Sequence, residues 1–260
     1  MTEALRAEWA KLRTLAGTSW LLLAAVAVTV AATAVIVAAT HVSSGDAGGG
    51  GQDPTKLVLA GVEIGQAVVT VLAVLAMSEE YATGMIRVSL AAVPRRSVLL
   101  AAKAINVTGL TLIAAAVAVA GCLVIGRLLL PGAGLDRAHG YALVSIAHGP
   151  AVRAALGSVL YLGLVALLSL GIATVVRDTA VSTGVVLGLL YLPPLLAQLV
   201  TGSLRRHVEQ IAPMSAGLAI QATRHIHTVP TAPWPGLGIC AAWAVGALLV
   251  GGAVLKTRDA

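Results

Sequence analysis

The chain contains no phenylalanine, and aromatic residues make up only 3% of its 260 positions. Charged residues make up 11%, whereas a soluble domain carries roughly 25%, so a soluble fold is excluded. The net charge of +6 comes without a dense basic stripe with interleaved aromatics, which argues against nucleic-acid binding. The two cysteines, Cys122 and Cys240, fall in apolar runs. We interpret them as small packing residues rather than as a disulfide or a metal site.

Long apolar runs dominate the sequence instead. Six runs of 22 or 23 residues fill about half of the chain and contain one formally charged residue, Glu63. A helix rises about 1.5 Å per residue, so about 20 apolar residues cross the roughly 30 Å hydrocarbon core of a membrane. Only a helix satisfies its own backbone over that length in lipid. The sequence therefore predicts an all-α polytopic membrane protein with one domain over residues 1–260. Its predicted spans are 19–40, 57–78, 104–126, 154–176, 180–201 and 234–255.

The basic residues predict the orientation of these spans. Six spans place both termini on one side. The segments of that side, 1–18, 79–103, 177–179 and 256–260, hold ten Lys or Arg in 51 residues, whereas the other side holds seven in 75. Because cytoplasmic loops are enriched in Lys and Arg, we expect a multi-pass plasma-membrane protein with both termini in the cytoplasm. The first span is too long for the apolar part of a signal peptide, so no cleavable signal is predicted.

The N-terminal segment 1–18 has the pattern of a helix that lies on the membrane. Leu5, Trp9 and Leu12 recur at spacings of four and three residues and therefore share one helical face. Basic residues lie off that face. An amphipathic helix with Trp and basic residues is typical of the interfacial layer, so we predict an interfacial helix here.

One acidic residue and one proline pair interrupt the predicted spans. Glu63 lies inside the second span, where an ionised carboxylate is costly unless it faces protein or water. Gln66 follows three residues later on the same face. The pair is a candidate for a translocation pathway, with a polar contact between helices as the alternative. Pro193 and Pro194 remove two donors from the fifth span, so we expect a kink or a break there and a possible hinge.

Two glycine pairs have the small-xxx-small spacing that permits close helix packing in membranes. They are Gly61 with Gly65 and Gly184 with Gly188. For both pairs we favour packing within one subunit over a dimer interface.

Motifs for catalysis and metal binding are missing from the sequence. No Gly-x-x-x-x-Gly-Lys-Ser/Thr is present, so the chain has no site for ATP hydrolysis. His-Glu-x-x-His is also missing, and the spans carry no pair of aspartates, which argues against a membrane enzyme. His225 and His227 are two residues apart, a weak signal, and no metal site is predicted.

The most informative polar stretch is 79–103, which begins with acidic residues and ends with basic ones. Ile86 and Leu90 share a helical face, and Pro94 follows. The pattern predicts a short helix parallel to the membrane that turns into the next span. Its charged side chains could dock on a cytoplasmic partner, or the stretch could be a solvated connector. The residues alone leave both readings open.

Several segments resemble type-2 ABC transporter permeases, and the chain is most similar to the small six-span permeases of actinobacteria. The main pattern is acidic-Tyr-x-x-Gly-x-Ile-Arg, then Leu-x-x-x-Pro-Arg-Arg and a downstream Lys. The order and spacing of the motifs relative to six spans make the set specific. The matching segments run from Glu80 to Lys103 and, more briefly, over 8–14, 177–180, 213–217 and 258–260.

The resemblance implies that the loop after the second span is a coupling helix, which seats in a groove of a separate ATPase subunit. It also implies two ATPase copies that bind ATP and Mg, and a second permease copy, most simply in a homodimer. No cofactor is expected on this chain itself. The segment 202–233 would contain short helices that form an outer gate. Carried over onto this sequence, the coupling residues are Glu80, Tyr81, Gly84, Arg87, Pro94 and Arg95.

The expected function is the transmembrane subunit of an ATP-driven exporter. Its apolar interior favours an amphiphilic or lipid-like substrate, such as a drug, an antibiotic, a peptide or a lipid. Drug efflux or antibiotic resistance is the expected role by analogy with the family. The alternative is a secondary transporter or channel without an ATPase partner.

Overall fold

The computed structural model of the chain describes residues 16–40, 53–85, 96–133, 149–224, 226 and 229–257. Within these ranges the chain forms helices, short turns and connecting segments, and no β-strand. Six helical segments are long and apolar enough to cross a membrane. This confirms the prediction of an all-α polytopic membrane protein.

The helices follow the apolar runs of the sequence. A short helix, α2, leads almost directly into α3, and the two together make the second span, Pro54–Ala82. Single 3₁₀ turns occur at Pro131–Ala133 and Ala219–Gln221. In chain order the described helices are α1 Ala16–Ala39, α2 Pro54–Leu59, α3 Gly61–Ala82, α4 Arg96–Leu129, α5 Gly149–Val176, α6 Thr179–Ala197, α7 Ser203–Ile211, α8 Pro213–Leu218 and α9 Pro233–Thr257.

Several helices differ in length from the predicted spans. Helix α3 continues past the predicted end at Ser78 to Ala82, and α4 begins at Arg96 rather than at 104. Of the polar segment predicted at 79–103, residues 79–82 and 96–103 are therefore helical. The charged side chains at these helix ends bond to neighbouring helices, so they do not prevent the helices from extending. Short helices α7 and α8 lie in the predicted gate segment 202–233.

Two helices, α3 and α5, form the centre of the bundle. In each, 61% of the most apolar 18-residue window is buried, whereas the corresponding share is 22–28% in α1, α4, α6 and α9. Tyr161 of α5 is fully buried, and the core packs around it. The outer helices expose large apolar side chains such as Trp20, Leu128 and Leu249. Lipid tails are as apolar as these side chains, so the outer surface is suited to a membrane.

Some hydroxyl side chains inside the spans bond to the backbone of their own helix. Thr29 donates to the carbonyl oxygen of Ala25 at 2.6 Å, and Ser169 donates to that of Val165 at 2.7 Å. A polar group without a partner is costly in an apolar environment. These bonds to the preceding turn let the spans carry polar side chains without exposing them to lipid.

We name the two ends of the bundle after one residue at each of them, Glu80 and Asp53. The Glu80 end contains the last turns of α3 and α9, the first turn of α4 and the turn between α5 and α6. The Asp53 end contains the start of α2, the short helices α7 and α8, and the start of α9. Both predicted groups of site residues lie near these ends.

Candidate functional site

A buried ion pair joins α3 to α4 at the Glu80 end. The Nζ atom of Lys103 lies 3.1 Å from Oε1 of Glu80 and donates a hydrogen bond to the carbonyl oxygen of Ala76 at 2.8 Å. The side chains of Lys103 and Glu80 are 4% and 10% exposed. The expectation that Glu80 presents an exposed charge to a partner is therefore wrong. Its carboxylate faces α4, where the ammonium group of Lys103 balances its charge.

The last turn of α3 also contacts the turn between α5 and α6. The guanidinium carbon of Arg177 lies 5.0 Å from the centre of the Tyr81 ring, within the range of a cation–π contact. One turn earlier on α3, Ser78 accepts a hydrogen bond at 2.7 Å from the hydroxyl of Thr179, the first residue of α6. Arg177 has a φ of 66°, an uncommon conformation for a residue other than glycine. Two side-chain contacts thus hold α3 to this turn.

Arg96, the first residue of α4, connects that helix to the end of α9. Its Nη1 atom donates a hydrogen bond of 2.7 Å to the carbonyl oxygen of Leu255. The last carbonyl groups of a helix have no partner within the helix, and a cation is favourable there. Arg96 therefore caps α9 from a neighbouring span. With the contacts of α3, this places the ends of four spans and the α5–α6 turn in one network.

Gly84 follows the end of α3 in a left-handed backbone conformation. Helix α3 ends at Ala82, and Gly84 follows with a φ of +69° while its N–H donates to the carbonyl oxygen of Tyr81 at 3.2 Å. A residue with a side chain is strained in this conformation, which glycine adopts freely. The other predicted coupling residues lie outside the described residues, as do the N-terminal segment 1–15 and the two histidines of the weak metal signal. Those coupling residues are Arg87, Pro94 and Arg95.

A cleft of about 310 Å³ opens at the Asp53 end, and Glu63 lies in its lining. We call it the Glu63 cleft; the α2–α3 junction, α6, α7, α8 and the turn Ala219–Gln221 form its walls. Lys56 and Glu209 also line it. Oε1 of Glu209 pairs with Nε of Arg205 at 2.8 Å. The carboxylate of Glu63, by contrast, makes no ion pair within 4 Å among the residues that the structure describes.

Gln66 does not share the cleft with Glu63. Its side chain is fully buried, where it accepts a hydrogen bond from the hydroxyl of Tyr161 and donates one to the sulfur of Met214 at 3.2 Å. Three helical residues turn the chain by about 300°, so two such side chains can face different surroundings. Gln66 connects α3, α5 and α8. The two side chains therefore do not form one patch in the cleft, and a pathway role remains a prediction for both residues.

The two prolines of α6 do not break that helix. It continues across Pro193 and Pro194 and ends at Ala197, so of the predicted kink or break the break does not occur, and the kink stays a prediction. Pro194 lines the Glu63 cleft, whereas Pro193 lines an open groove on the other side of α6. The hydroxyl of Tyr191 donates to the backbone carbonyl of Glu63 at 2.5 Å, which attaches α6 to α3 just before the prolines. A hinge at this position remains a prediction.

The two glycine pairs have different surroundings. A Cβ atom on Gly61 would lie 2.2 Å from the carbonyl oxygen of Thr29, and one on Gly65 would lie 1.8 Å from the hydroxyl of the same residue. Packing within the subunit, here of α3 against α1, is confirmed for this pair. The second pair shows no such packing among the described residues. Among the described residues, a Cβ on Gly184 would have no neighbour within 4 Å, and one on Gly188 would meet only a side chain of its own helix. Both line the open groove of about 630 Å³, which we call the Gly184 groove.

Asp53 connects the start of the second span to the segment before the last span. Its Oδ1 caps α2 by accepting from the N–H groups of Thr55 and Lys56. Its Oδ2 accepts from the N–H groups of Thr223 and Arg224 at 2.5 and 2.9 Å, and the Thr223 hydroxyl donates to Oδ1 at 2.7 Å. Burial by itself raises the pKa of the carboxyl group, but these hydrogen bonds outweigh it. The pKa of Asp53 is therefore lowered from its usual value.

Sequence reasoning missed two of these contacts. The Asp53-Pro54 pair is a helix-start signal, an N-cap residue followed by proline at the first helical position, and it could have been recognised. Lys103 was noted only as a basic residue of the segment. No local pattern links it to Glu80, since the pairing depends on how α3 and α4 align.

Comparison with other proteins leaves the family of the chain open. The sequence matches no protein-family model, and the comparison with curated proteins finds no match. The two chemically distinctive regions, the network at the Glu80 end and the Glu63 cleft, are therefore the basis on which a function is proposed.

Proposed function

We propose that the chain is the transmembrane permease subunit of an ATP-driven exporter, in which a separate ATPase subunit drives an amphiphilic or lipid-like substrate out of the cell. The observation that carries this proposal is the contact network at the Glu80 end. Both helix ends that flank the segment 83–95 are attached to other spans. A partner that moves this segment would therefore move several spans at once.

Each attachment leads to a different part of the bundle. The Glu80–Lys103 pair holds α3 to α4, and Arg96 holds α4 to the end of α9. The contact of Tyr81 with Arg177 connects α3 to the turn between α5 and α6. A displacement of the segment is thus transmitted by side-chain pairs rather than absorbed by a loose loop. Packed helices move as rigid elements, which is the usual form of such a transition.

The energy source in this proposal is a partner chain. The sequence has no phosphate-binding loop of the ATPase type, so ATP and Mg belong to a separate subunit that docks on segment 83–95. Closure of two ATPase copies would favour one packing of the spans over the other, and transport follows from that difference in stability. In this arrangement the Glu80 end and both termini are cytoplasmic, in line with the distribution of Lys and Arg.

A second copy of the chain completes the proposed transporter. The Gly184 groove supports this part of the proposal, because its glycines have no partner among the described residues of one chain and lie on an outer helix. Small residues allow two helices to approach closely in a membrane, where van der Waals packing drives association. We propose a homodimer that meets along α6.

Co-purification with the ATPase encoded nearest to the chain tests the proposal. We expect the wild-type chain to bind the ATPase and to stimulate its ATP hydrolysis. The double variant Arg87→Glu, Arg95→Glu should weaken binding by about tenfold or more, since reversed charges repel the matching surface. Arg205→Glu is the matched control, because it reverses a charge at the opposite end and breaks only an exposed pair.

Two results would contradict the proposal. One is that no ATPase binds the wild-type chain. The other is that the Arg87 and Arg95 variant binds and stimulates as the wild type does. Either would favour a secondary transporter or channel, which needs no ATPase.

A further inference from the structure

The Glu63 cleft has the chemistry of a ligand site. We propose that it binds an amphiphilic cation, whose positive group pairs with the carboxylate of Glu63 and whose apolar part lies along α6 and α8. The proposal rests on the proposed export function only where it takes this ligand as an example of the exported substrates. Binding itself does not depend on the ATPase.

The position of Glu63 gives the first reason. Lys56 and Glu63 are seven residues apart across the α2–α3 junction, so they share a face, and Glu63 lies about 10 Å farther into the span. A carboxylate at membrane depth is costly unless it is paired, protonated or hydrated. Among the described residues it makes no ion pair within 4 Å. A positive group of a ligand would provide the missing partner.

The second acidic residue of the cleft, unlike Glu63, already has an ion-pair partner. Glu209 belongs to the exposed helix α7 and already pairs with Arg205 at 2.8 Å. A ligand cation would have to compete with that guanidinium group. Lys56 is exposed, and its charge acts on Glu63 only from beyond ion-pair distance. Glu63 is therefore the residue that determines the preference for a cation.

Two hydroxyl groups in the cleft lining give an independent reason. The oxygen atoms of Ser215 and Thr231 are buried and have no hydrogen-bond partner among the described residues. Both residues line the cleft. Buried polar atoms in proteins normally have a partner. The two hydroxyl groups add polar side chains to the lining that includes Glu63, so the head of a ligand would meet more than one polar residue there.

The remaining lining determines the apolar part of the ligand. The apolar wall of the cleft is formed by Pro194, Met214 and Leu218. Its volume of about 310 Å³ is at the lower end of the range for small-molecule sites, about 300–1,000 Å³. Because the cleft is open, it encloses the head of a ligand while the rest extends outward along α6. This combination selects an amphiphile rather than an inorganic ion.

Tetraphenylphosphonium and tetraphenylborate test the proposal, because they are nearly the same size and differ in the sign of their charge. Binding of each radiolabelled ion is measured on the full chain in lipid nanodiscs without any ATPase, with empty nanodiscs subtracted. We expect specific binding of the cation and a loss of about tenfold or more in Glu63→Gln. Glu79→Gln, the same change at an exposed position near the other end of α3, should bind as the wild type does.

A third variant separates charge from folding. Glu63→Asp keeps a carboxylate and should still bind the cation in preference to the anion. The proposal is overturned if the wild type does not bind the cation, if Glu63→Gln binds it normally, or if Glu63→Asp loses it as fully as Glu63→Gln. Since no ATPase is present, a failure here leaves the export proposal standing. A failed co-purification likewise leaves the cation site standing.

Discussion

The ammonium group of Lys103 lies 3.1 Å from the carboxylate of Glu80, in the interface between two helices that are expected to cross the membrane. Both side chains are at most 10% exposed. Such a pair adds little net stability compared with an apolar pair, because the desolvation of two charges offsets their attraction. The pair strongly favours one alignment of α3 with α4, however, because sliding one helix along the other would separate two buried charges. We interpret the pair as the contact that sets the alignment of these helices.

Removing one partner of this pair should destabilise the protein markedly. Glu80→Gln or Lys103→Met removes one of the two charges of this buried pair, and the expected loss is about 3–5 kcal/mol in the free energy of unfolding. The double variant Glu80→Gln, Lys103→Met should recover most of that loss, because it removes both charges of the pair together. The measurement is the unfolding of the purified chain in detergent, followed by helical circular dichroism against denaturant.

Glu79→Gln is the control for this prediction. Glu79 is adjacent to Glu80 on the same helix but is exposed, so its neutralisation should change the unfolding free energy by no more than about 0.5 kcal/mol. Equal effects of the changes at Glu79 and Glu80 would show that burial of the pair does not matter. A double variant as unstable as either single one would show that the two charges do not interact.

The ring of Tyr81 should hold the turn between α5 and α6 through its contact with Arg177. Tyr81→Leu removes the aromatic face and should cost about 0.5–2 kcal/mol, the range for cation–π contacts from exposed to desolvated sites. Tyr81→Phe keeps that face and should cost less than Tyr81→Leu. If the two variants unfold alike, the contact with Arg177 contributes nothing, and thermal unfolding in detergent measures the difference.

The architecture could be predicted from the sequence because it depends on local properties. The length of an apolar run against the thickness of a bilayer determines where a span can lie, and each of the six candidate helices overlaps one predicted span. The ends of the helices were less predictable. The charged residues Glu80, Arg96 and Lys103 were placed outside the spans, in the polar segment 79–103. They lie within helices, because neighbouring spans provide partners that the sequence does not show.

The roles of individual residues depended on three-dimensional context. Gly61 and Gly184 belong to motifs of the same spacing, yet the first packs against α1 and the second lines an open groove. Glu63 and Gln66 are one helical turn apart, yet one lines a cleft and the other is buried against Tyr161. Sequence spacing shows which residues share a helix face. It does not show which other helix covers that face.

Asp53 should make the stability of the Asp53 end depend on pH. Hydrogen bonds from Thr223, Arg224 and Lys56 outweigh burial and lower the pKa of its carboxyl group. Because the pKa of Asp53 is lowered, the stabilisation by its charged carboxylate is complete above the unfolded-state pKa, about 3.8. It is lost as the pH falls through the folded-state pKa. Asp53→Asn should therefore cost about 0.5–2 kcal/mol near neutral pH, on the scale of a helix cap. The difference from the wild type should shrink below about pH 3.8.

Asp178 provides the matched control for this experiment. It caps α6 by accepting from the N–H of Val181 at 2.8 Å. Asparagine caps helices about as well as aspartate does, so Asp178→Asn should change the unfolding temperature little. Thermal unfolding of the three proteins from pH 3 to pH 7 makes the comparison. If the difference in unfolding temperature between the wild type and Asp53→Asn stays constant down to the lowest pH, the role assigned to the charge is contradicted.

The two glycine motifs should respond differently to the same substitution. Gly61→Ala places a methyl group about 2.2 Å from a backbone oxygen of α1, so the helices must separate. The expected cost of such overpacking is about 1–3 kcal/mol. Gly184→Ala adds a methyl group in open space and should cost nothing within one chain. Unfolding of the monomeric chain in detergent measures both changes.

A larger side chain at Gly184 extends this comparison to the proposed dimer. Gly184→Leu should leave the unfolding of the monomer unchanged, because one chain places nothing against that position among its described residues. It should also reduce self-association in nanodiscs, measured by energy transfer between chains labelled with donor and acceptor dyes, because a bulky residue prevents close approach of two α6 helices. Unchanged energy transfer would show that the copies do not meet at the Gly184 groove, since close packing there cannot accommodate four added carbon atoms. A loss of monomer stability would show instead that the groove is filled within one chain.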